Sequence, residues 1–380
     1  MKVTIIKENL RKGLAVIERI CGKNFTLPIL NNVLIKTEKN LLSLSGTDLE
    51  LGIKYFTLAK IEKEGQITVP AKLLFNLINF LSEEKIILET KNNILFVSGK
   101  NFNSQTKGLP FEDFPIIPQV KQEKDFIEVK NSPFFEGISK VINFCSISQT
   151  HPELAGIYFN FQKEKLELVS TDSFRLTKKD LYYQNKINKT YSFILPQKAV
   201  RELANILSEK NSKTKKEEQT KIYFEPNQIF FEFLSADFSF PQFYLTSRLI
   251  EGEYPNYQEI IPKTHKTQAI LNKNEFLSQI KTASLFSGKI NKIRIQIEPK
   301  QNLINLFSQN PETGEFNSSL PGEIKGEKTE VSFNFKFLID GLLNLTGRSI
   351  FFGLNGEDGP ALLKSSEDPD YIYILMPIKS

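Results

Sequence analysis

The residues that could perform acid, base or nucleophilic chemistry are few in this sequence. Histidine occurs only at His151 and His265, each in loop-like sequence beside proline or lysine, and we expect both to be exposed. Asp48 and Asp172 each follow a threonine, and a pair of carboxylates could serve acid–base or metal chemistry. They occupy equivalent places in two repeated segments, however, so the sequence predicts that they stabilise two separate turns.

Sequence signatures of common catalytic sites are also missing. The segments "SGKNFNS" and "SGKINK" lack the glycine spacing and the Lys-Ser/Thr pair of a phosphate-binding loop. No Gly-x-Ser-x-Gly elbow occurs. Cys21 and Cys145 lie in apolar, helix-like contexts, which predicts buried free thiols rather than metal ligands. The sequence therefore predicts no cofactor and no metal, and it indicates binding rather than catalysis.

Six amphipathic segments could position a binding surface. Three of them open similar stretches of chain: "ENLRKGLAVIERIC", "SPFFEGISKVINFC" and "NKNEFLSQIKTASLF". A second helix-like segment follows in each stretch: "VPAKLLFNLINFLS", "LPQKAVRELANILS" and "FNFKFLIDGLLNLT". Their apolar residues recur at helical spacing. The second set places Lys72, Lys198 and Lys336 at matching positions, and Asn334 is a predicted cap of the last helix.

Alternating, strand-like sequence surrounds these helices. Two regions, "LSLSGTDLELGIK" and "LELVSTDSFRLTK", contain a Thr-Asp turn, and a third, "INLFSQNPETGEF", has Gln309-Asn310 in that place. In the second region the period-2 alternation predicts strands at 166–170 and 174–177, joined by residues 171–173. The repeat therefore includes strands and turns as well as helices.

The repeated pattern predicts an α+β protein of three similar domains, at residues 1–121, 122–255 and 256–380. Each domain would pack two helices on antiparallel strands. A length of 380 residues agrees with two to three domains. The polar segment at 208–221 is predicted to form a loop between a helix and a strand.

Charge and hydropathy restrict the class of protein further. The net charge of +5 is too mild to prove a polyanionic partner, so the positions of the charges must decide. The N-terminus lacks the apolar run of a signal peptide, and no apolar stretch approaches the 18 residues of a membrane span. We therefore expect a cytoplasmic protein without membrane association.

Several motifs resemble those of the bacterial sliding clamp, the beta subunit of the replicative DNA polymerase. They are "FTLPILNNVLI" (25–35), "LSLSGTDLELGI" (42–53), "VPAK" (69–72), "STDSFRL" (170–176), "TSRLIEGEYPNYQEIIP" (246–262) and "YILMPIK" (373–379). They span almost the whole chain in the family's order. The threefold repeat is also what that family requires.

The resemblance implies a non-enzymatic processivity factor with the DNA-clamp fold. In that family two chains form a head-to-tail ring that encircles duplex DNA, with helices lining the hole. Lysine and arginine at the hole would attract phosphate without reading sequence. The DNA-facing candidates on or beside the predicted helices are Arg11, Lys12, Lys23, Lys72, Lys140, Lys198, Arg201, Lys281 and Lys336.

The resemblance also implies a hydrophobic groove between the central and C-terminal domains. There the polymerase catalytic subunit, the clamp loader and repair polymerases would insert short linear motifs. Matched residue by residue, the groove would be lined by Leu154, Thr171, Ser173, Phe174, Arg175, Leu176, Pro255, Ile260, Pro360, Ile374, Leu375, Met376, Pro377 and Ile378.

The ring implies a dimer contact, for which Phe102 opposite Phe276 and Leu277 of a second chain are the candidates. Two alternatives stay open on the sequence. One is a metal-dependent, nuclease-like enzyme on a repeated α+β scaffold, which would use Asp172 and nearby acidic residues. The other is a monomeric binding module that never closes a ring.

Overall fold

The computed structural model of the protein describes residues 1–22, 26–120, 126–148, 150–183, 189–211, 218–234 and 238–379. In these ranges, six α-helices occupy the six predicted segments: α1 (Lys7–Ile20), α2 (Ala71–Phe80), α3 (Asn131–Val141), α4 (Gln197–Asn211), α5 (Lys273–Ser284) and α6 (Phe335–Asn344). The side chain of Asn334 caps α6 as predicted, because it accepts a hydrogen bond from the Lys336 amide at 3.0 Å. At the ends of the predicted loop at 208–221, α4 continues to Asn211 and the next strand begins at Gln219, and residues 212–217 lie outside the described residues.

The strands follow one order three times, in which a strand and a helix precede a group of strands, a second helix and three more strands. The first group contains β1 (Lys2–Ile6), β2 (Asn32–Glu38), β3 (Leu41–Thr47), β4 (Leu51–Leu58), β5 (Lys60–Lys63), β6 (Gln66–Pro70), β7 (Lys85–Lys91), β8 (Ile94–Ser98) and β9 (Asn103–Lys107). The second contains β10 (Phe126–Lys130), β11 (Gly156–Phe161), β12 (Lys165–Thr171), β13 (Arg175–Tyr182), β14 (Tyr191–Pro196), β15 (Gln219–Phe224), β16 (Gln228–Phe233) and β17 (Phe243–Arg248). The third contains β18 (Thr267–Asn272), β19 (Lys292–Glu298), β20 (Leu303–Asn310), β21 (Gly314–Pro321), β22 (Glu323–Gly326), β23 (Thr329–Asn334), β24 (Ser349–Leu354), β25 (Ala361–Ser365) and β26 (Tyr371–Leu375).

One compact unit consists of Met1–Phe135 and Lys198–Leu249, and we call it unit 1. It contains a five-stranded sheet in the order β5-β1-β7-β8-β9 and an eight-stranded sheet in the order β10-β15-β16-β17-β4-β3-β2-β6. Helix α1 buries Leu10, Leu14 and Ile17, which lie at the predicted spacing. Gly13 lets this helix approach the sheet closely, since a Cβ there would lie 2.2 Å from the Tyr55 ring.

The second compact unit, unit 2, consists of Glu136–Gln197 and Ile250–Ser380. It contains a nine-stranded sheet in the order β14-β11-β12-β13-β26-β25-β24-β18-β22 and a four-stranded sheet in the order β21-β20-β19-β23. Phe276, Phe333 and Phe352 are fully buried in one large core cluster of this unit. The α+β class and the antiparallel sheets that the sequence predicts are confirmed.

Strand pairing joins successive repeats within each unit in the same way. In unit 1, β4 of the first repeat pairs antiparallel with β17 of the second. In unit 2, β13 of the second repeat pairs antiparallel with β26 of the third. The equivalent strands that remain are β21 and β9, and each ends its sheet without a partner in the described part of the chain.

The surroundings of the two cysteines and the two histidines can be compared with those that the sequence predicts. Cys21 and Cys145 are buried free thiols, as predicted, and burial raises the pKa of Cys21 to about 12. His151 is exposed as expected, but His265 is half-buried with its ring 5.3 Å from that of Phe351, which corrects the expectation of exposure. None of the helices among the described residues could cross a membrane.

Candidate functional site

The turn at residues 171–175 is fixed by its own side chains. Thr171 Oγ1 donates to the Arg175 carbonyl at 2.8 Å and accepts from the Ser173 amide at 3.1 Å. Asp172 Oδ1 accepts from the amides of Phe174 and Arg175, each at 3.0 Å. These bonds hold Ser173 at a φ of +74°, a conformation that few non-glycine residues adopt. Asp172 therefore has the turn-stabilising role that the sequence predicts.

The side chain of Arg175 connects this turn to helix α6 of unit 2. Its Nε donates to Asp172 Oδ2 at 2.9 Å, and its Nη1 donates to the carboxylate of Asp340 on α6. The guanidinium also lies over the rings of Phe144 and Phe337, at 5.0 and 4.5 Å from their centroids. Its side chain is only 13% exposed, so Arg175 supports the turn rather than offering a free charge.

An apolar floor lies beside the turn, on the face of the nine-stranded sheet opposite the main core. Leu176 of β13 and Ile374 of β26 are directly opposed, and Ile374 also faces Leu362 of β25. These three side chains cluster with Val169 and Tyr257 and are almost fully buried. The predicted groove residues Leu176 and Ile374 therefore lie side by side in this floor, and other parts of the chain bury both side chains.

Leu375 lies on the other side of the same strand. It is 0% exposed and belongs to the main core of unit 2, because successive side chains of a strand point to opposite faces. This corrects the expectation that Leu375 lines the groove. Leu154 and Thr171 are also buried, at 6% and 8% exposure, and can contribute only from beneath the surface.

Exposed and half-exposed apolar residues border this floor. Phe174 is 61% exposed and stacks on Phe337 at a centroid distance of 6.2 Å. Ile260 is 42% exposed, and Pro255 and Ser173 are also exposed. The remaining predicted groove residues are half-buried: Pro360, Met376, Pro377 and Ile378. The sequence-based set therefore divides into an exposed border and a buried support.

Backbone hydrogen bonds fix the C-terminal part of this border. The Met376 amide donates to the Phe174 carbonyl at 2.8 Å, and the Ile378 amide donates to the Ser332 carbonyl at 2.8 Å. The segment that follows β26 is therefore tied both to the turn and to β23. These two bonds hold the segment in one conformation, and a surface ordered in advance loses less entropy when it binds a ligand.

The opposite border depends on a buried hydrogen bond that the sequence analysis missed. The Tyr257 hydroxyl donates to Glu167 Oε2 at 2.9 Å, and Tyr257 lies in the 3₁₀ turn between Pro255 and Ile260. Lys165 donates to Glu167 Oε1 at 2.7 Å. The signal in the sequence was Glu167, a charged residue inside an apolar strand, but its partner Tyr257 is 90 residues away.

The protonation state of Glu167 follows from these contacts. Burial alone would raise the pKa of the carboxyl group, but hydrogen bonds from Lys165 and Tyr257 lower it to about 2. The side chain is 4% exposed, so the charge depends on these partners rather than on solvent. A carboxylate in this state anchors the 3₁₀ turn at neutral pH.

Comparisons with known protein families agree across the whole chain. The models of three domains match in order: the N-terminal domain of the DNA polymerase III beta subunit over residues 1–118, the central domain over 128–256 and the C-terminal domain over 258–379. The chain belongs to the DNA polymerase III beta subunit family.

Relatives and solved structures of this family extend over the full length. The beta sliding clamp of Synechococcus elongatus is 28% identical and that of Bacillus subtilis 27%, and the alignments cover 100% of this chain and 99–100% of each relative. The crystal structure of the Bacillus subtilis clamp matches with a TM-score of 0.91 at 25% identity, over 100% of this chain and 99% of that one. A Pseudomonas aeruginosa clamp bound to griselimycin matches with a TM-score of 0.91 at 25% identity, over 100% of both chains.

Membership in the DNA polymerase III beta subunit family establishes the three-domain sliding-clamp fold. The function is that of a DNA polymerase processivity factor, a non-catalytic accessory subunit. The nuclease-like alternative receives no support from these comparisons. The surroundings of Asp172 give a physical reason, because both of its carboxylate oxygens are already engaged within the turn.

The candidate DNA-facing residues differ in their exposure and in whether another residue of the chain binds their charged group. Five of them are exposed on helices: Lys72, Lys198, Arg201, Lys281 and Lys336. Lys198 donates to the Asp48 carboxylate in unit 1. Arg11 and Lys12 are half-buried, and they donate to Glu8 and Gln242 respectively. Lys23 lies outside the described residues.

Lys140 is the basic candidate that the structure places elsewhere. Its side chain is 12% exposed, and its ammonium group donates to the Asn344 carbonyl and lies 4.0 Å from Asp368. Burial lowers the pKa of Lys140. This surrounding corrects the expectation of a phosphate-facing side chain, because the ammonium group is used inside unit 2.

The predicted dimer contacts also need one correction. Phe276 is 0% exposed, and its ring packs 5.8 Å from that of Phe352 in the core of unit 2. It can only support a contact made by others. Leu277 is half-buried on the same helix, and Phe102 is half-buried directly before β9.

Proposed function

We propose that two copies of this chain close head to tail into a ring around duplex DNA and that partner proteins dock on it. The single observation that carries the proposal is that β4 pairs with β17 and β13 pairs with β26 in the same way. The strands at the equivalent places, β21 and β9, have no such partner in the described part of the chain. Pairing β21 of one copy with β9 of the next would repeat the internal junction between chains. A head-to-tail contact closes when its rotation does, and otherwise it makes a fibre.

The same arrangement gives the proposed contact its residues. Phe102 precedes β9, and Leu277 belongs to α5, which packs on β20 and β21. These two side chains would cover the ends of the shared sheet, with Phe276 beneath them. We also propose the domain limits 1–121, 122–255 and 256–380, so that a closed pair would contain six similar domains.

We propose that duplex DNA passes through the hole of the ring. We assign the passage of DNA to the helix faces that present Lys72, Lys198, Arg201, Lys281 and Lys336, with Arg11 and Lys12 as weaker, partly neutralised contributors. DNA carries about one negative charge per 1.7 Å of its axis, so these cations favour it without selecting a sequence. This function requires no cofactor, and DNA in bacteria implies a cytoplasmic location.

Partner proteins would bind at the apolar border in unit 2. The polymerase catalytic subunit, the clamp loader and repair polymerases would each insert a short linear motif against Phe174, Pro255, Ile260, Met376 and Ile378. Ser173, Pro360 and Pro377 would complete the border, and Leu154, Thr171, Arg175, Leu176 and Ile374 would support it. The crystallised Pseudomonas aeruginosa clamp with griselimycin supports a ligand site in this family.

The mass in solution tests ring formation. One chain is 43.6 kDa, so we expect light scattering to give about twice that value. Phe102→Asp would place a charge at the shared edge and should shift the mass toward that of one chain. Ile147→Asp is the matched control, because Ile147 is 98% exposed and lies away from β9 in the sequence. A monomer in the unchanged protein, or a dimer unaffected by Phe102→Asp, would contradict the proposed contact.

A further inference from the structure

Unit 1 contains a pocket that none of the functions above uses. Its volume is about 230 Å³, and its walls include Leu49, Gly52, Ile116, Thr246 and Arg248. Leu49 is 47% exposed and Ile116 is 94% exposed, so the apolar wall is open to solvent. All of the residues that line the pocket belong to unit 1.

The strand registers make this pocket the counterpart of the groove in unit 2. Gly52 faces Thr246 across β4 and β17, as Leu176 faces Ile374 across β13 and β26. One backbone hydrogen bond recurs as well. The Arg248 amide donates to the Glu50 carbonyl at 2.8 Å, as the Met376 amide does to the Phe174 carbonyl at 2.8 Å.

The neighbouring strand continues the correspondence. Gln228 of β16 pairs with Arg248, and it lines the pocket. In unit 2, Ala361 pairs with Leu375, so the preceding Pro360 stands beside Met376. The equivalence therefore covers three strands, although the side chains at these places differ in polarity.

Those differences determine what the pocket can bind. Gly52 has no side chain where the groove has Leu176, and Ile117 occupies the space, since a Cβ on Gly52 would lie 2.8 Å from Ile117 Cγ2. Arg248 stands exposed at the rim, and no acidic side chain among the described residues forms an ion pair with it. An anionic group beside an aliphatic one fits this combination of charge and apolar wall.

Glu50 sets a limit on the charge of the ligand. It is exposed at the same rim and would repel a second anionic group. A ligand with a single carboxylate suits the site better than a strongly acidic segment does.

We propose that this pocket is a second docking site, which takes an extended peptide segment of a partner with one aliphatic residue next to one acidic residue. The aliphatic side chain enters between Leu49 and Ile116, and the carboxylate pairs with Arg248. The choice of a peptide as ligand rests on the proposed function of the equivalent groove, whereas the pocket and its charge stand on their own geometry.

Two tetrapeptide probes test the proposal: acetyl-Ser-Ile-Asp-Ser-amide and acetyl-Ser-Ile-Lys-Ser-amide, each with a diazirine in the aliphatic side chain. After irradiation of the full chain, we expect the Asp probe to crosslink to residues 115–118 or 246–248, as located by mass spectrometry. The Lys probe should bind about fivefold more weakly by isothermal titration calorimetry, a ratio typical of exposed ion pairs.

A charge swap makes the test specific. Arg248→Glu should weaken the Asp probe about fivefold and make the Lys probe the better ligand. Ile116→Asp should abolish crosslinking of the Asp probe, and Ile147→Asp should leave it unchanged, because both side chains are exposed and neither supports the core. Equal binding of the two probes, or a charge swap without effect, would overturn the proposal.

A parallel titration separates this inference from the function of the groove. A labelled peptide from the polymerase catalytic subunit is titrated against the unchanged chain and against Phe174→Asp. If that peptide binds, depends on Phe174 and the Asp probe does not crosslink within unit 1, then only the second site is wrong. If the polymerase peptide does not bind, the groove proposal fails whatever the tetrapeptide does.

Discussion

The turns at residues 47–51 and 171–175 have the same backbone and different surroundings. In the first, Thr47 bonds the Leu51 carbonyl at 2.9 Å, and Asp48 Oδ1 accepts from the amides of Glu50 and Leu51 at 3.0 and 2.7 Å. The second turn repeats each of these bonds. Even the left-handed residue recurs, with a φ of +80° at Leu49 and +74° at Ser173.

The cation that neutralises each turn comes from a different place. Lys198, on α4, reaches Asp48 with a side chain that is 56% exposed. In the second turn the cation is Arg175 of the turn itself, 13% exposed and shared between Asp172 and Asp340. The repeat therefore fixes the backbone of both turns, and the turns differ in how deeply the cation of their ion pair is buried.

The largest expected effect distinguishes the two cations. Arg175→Ala removes the partner of two carboxylates and the stacking on Phe337, so we expect it to lower the free energy of unfolding by about 3 kcal/mol. Lys198→Ala removes an exposed pair and should cost less than about 1 kcal/mol. Urea unfolding of both variants measures the difference, and equal losses would remove the distinction between the turns.

The second prediction concerns Glu167, which has Ser43 at the equivalent place in the first repeat. Glu167→Gln should cost about 2 kcal/mol at pH 7, because Lys165 and Tyr257 lose a charged acceptor. The pKa of Glu167 is lowered on folding, from 4.5 to about 2, so its contribution is fully present above pH 4.5. It should be lost as the pH falls from 4.5 toward 2.

Thermal unfolding of the unchanged chain and of Glu167→Gln between pH 7 and pH 3 checks this dependence. The two melting temperatures should converge as the pH falls below 4.5. Ser170→Ala, on the same strand as Glu167, serves as the control and should show a difference from the unchanged chain that does not vary with pH, because its hydroxyl bonds only the Val141 carbonyl and the Thr177 hydroxyl. A Glu167 effect that stays constant down to pH 3 would contradict the assigned pKa.

Position 174 tests whether the second turn is the docking platform. Phe174→Ala should weaken the polymerase-derived peptide about tenfold, since an exposed aromatic anchor is lost while its backbone contact stays. Glu50→Ala changes the equivalent position of the first turn and should leave that affinity unchanged. Calorimetry measures both, and equal affinities in the two variants would remove the groove from unit 2.

The smallest expected effect concerns the left-handed residues. Leu49→Asn should stabilise unit 1 by about 0.5 kcal/mol, because asparagine tolerates a positive φ better than a bulky aliphatic residue does. Ser173→Asn should change stability less. Leu58→Asn is the control, with a side chain 52% exposed against 47% for Leu49 and no positive φ. Identical stability changes at Leu49 and Leu58 would show that backbone strain is not involved.

The parts of the structure that depend on local contacts could be predicted from the sequence. Helical and alternating periodicity predicted the six helices and the hairpin at residues 166–177. The turn role of Asp48 and Asp172 depends on amides only two and three residues away, so the sequence motif contains all of its participants.

The parts that depend on distant partners could not be predicted. Lys140 resembles any basic helix residue in the sequence, and only the fold shows that the backbone carbonyl of Asn344, 204 positions further along, accepts a hydrogen bond from it. Phe276 and Leu375 look like surface candidates from motif matching, but the packing of other strands and helices buries them. Tyr257 and Glu167 were missed for the same reason.

The central claim is that this protein stays on DNA because the ring encloses the duplex, and that electrostatic attraction contributes only weakly. Retention on a nicked circular duplex, loaded by the clamp loader, tests this claim when the circle is then cut once by a restriction enzyme. The account predicts that the protein stays on the intact circle through a salt wash and leaves rapidly after the cut, because a free end opens an exit. Equal dissociation from the intact and the cut DNA would contradict it.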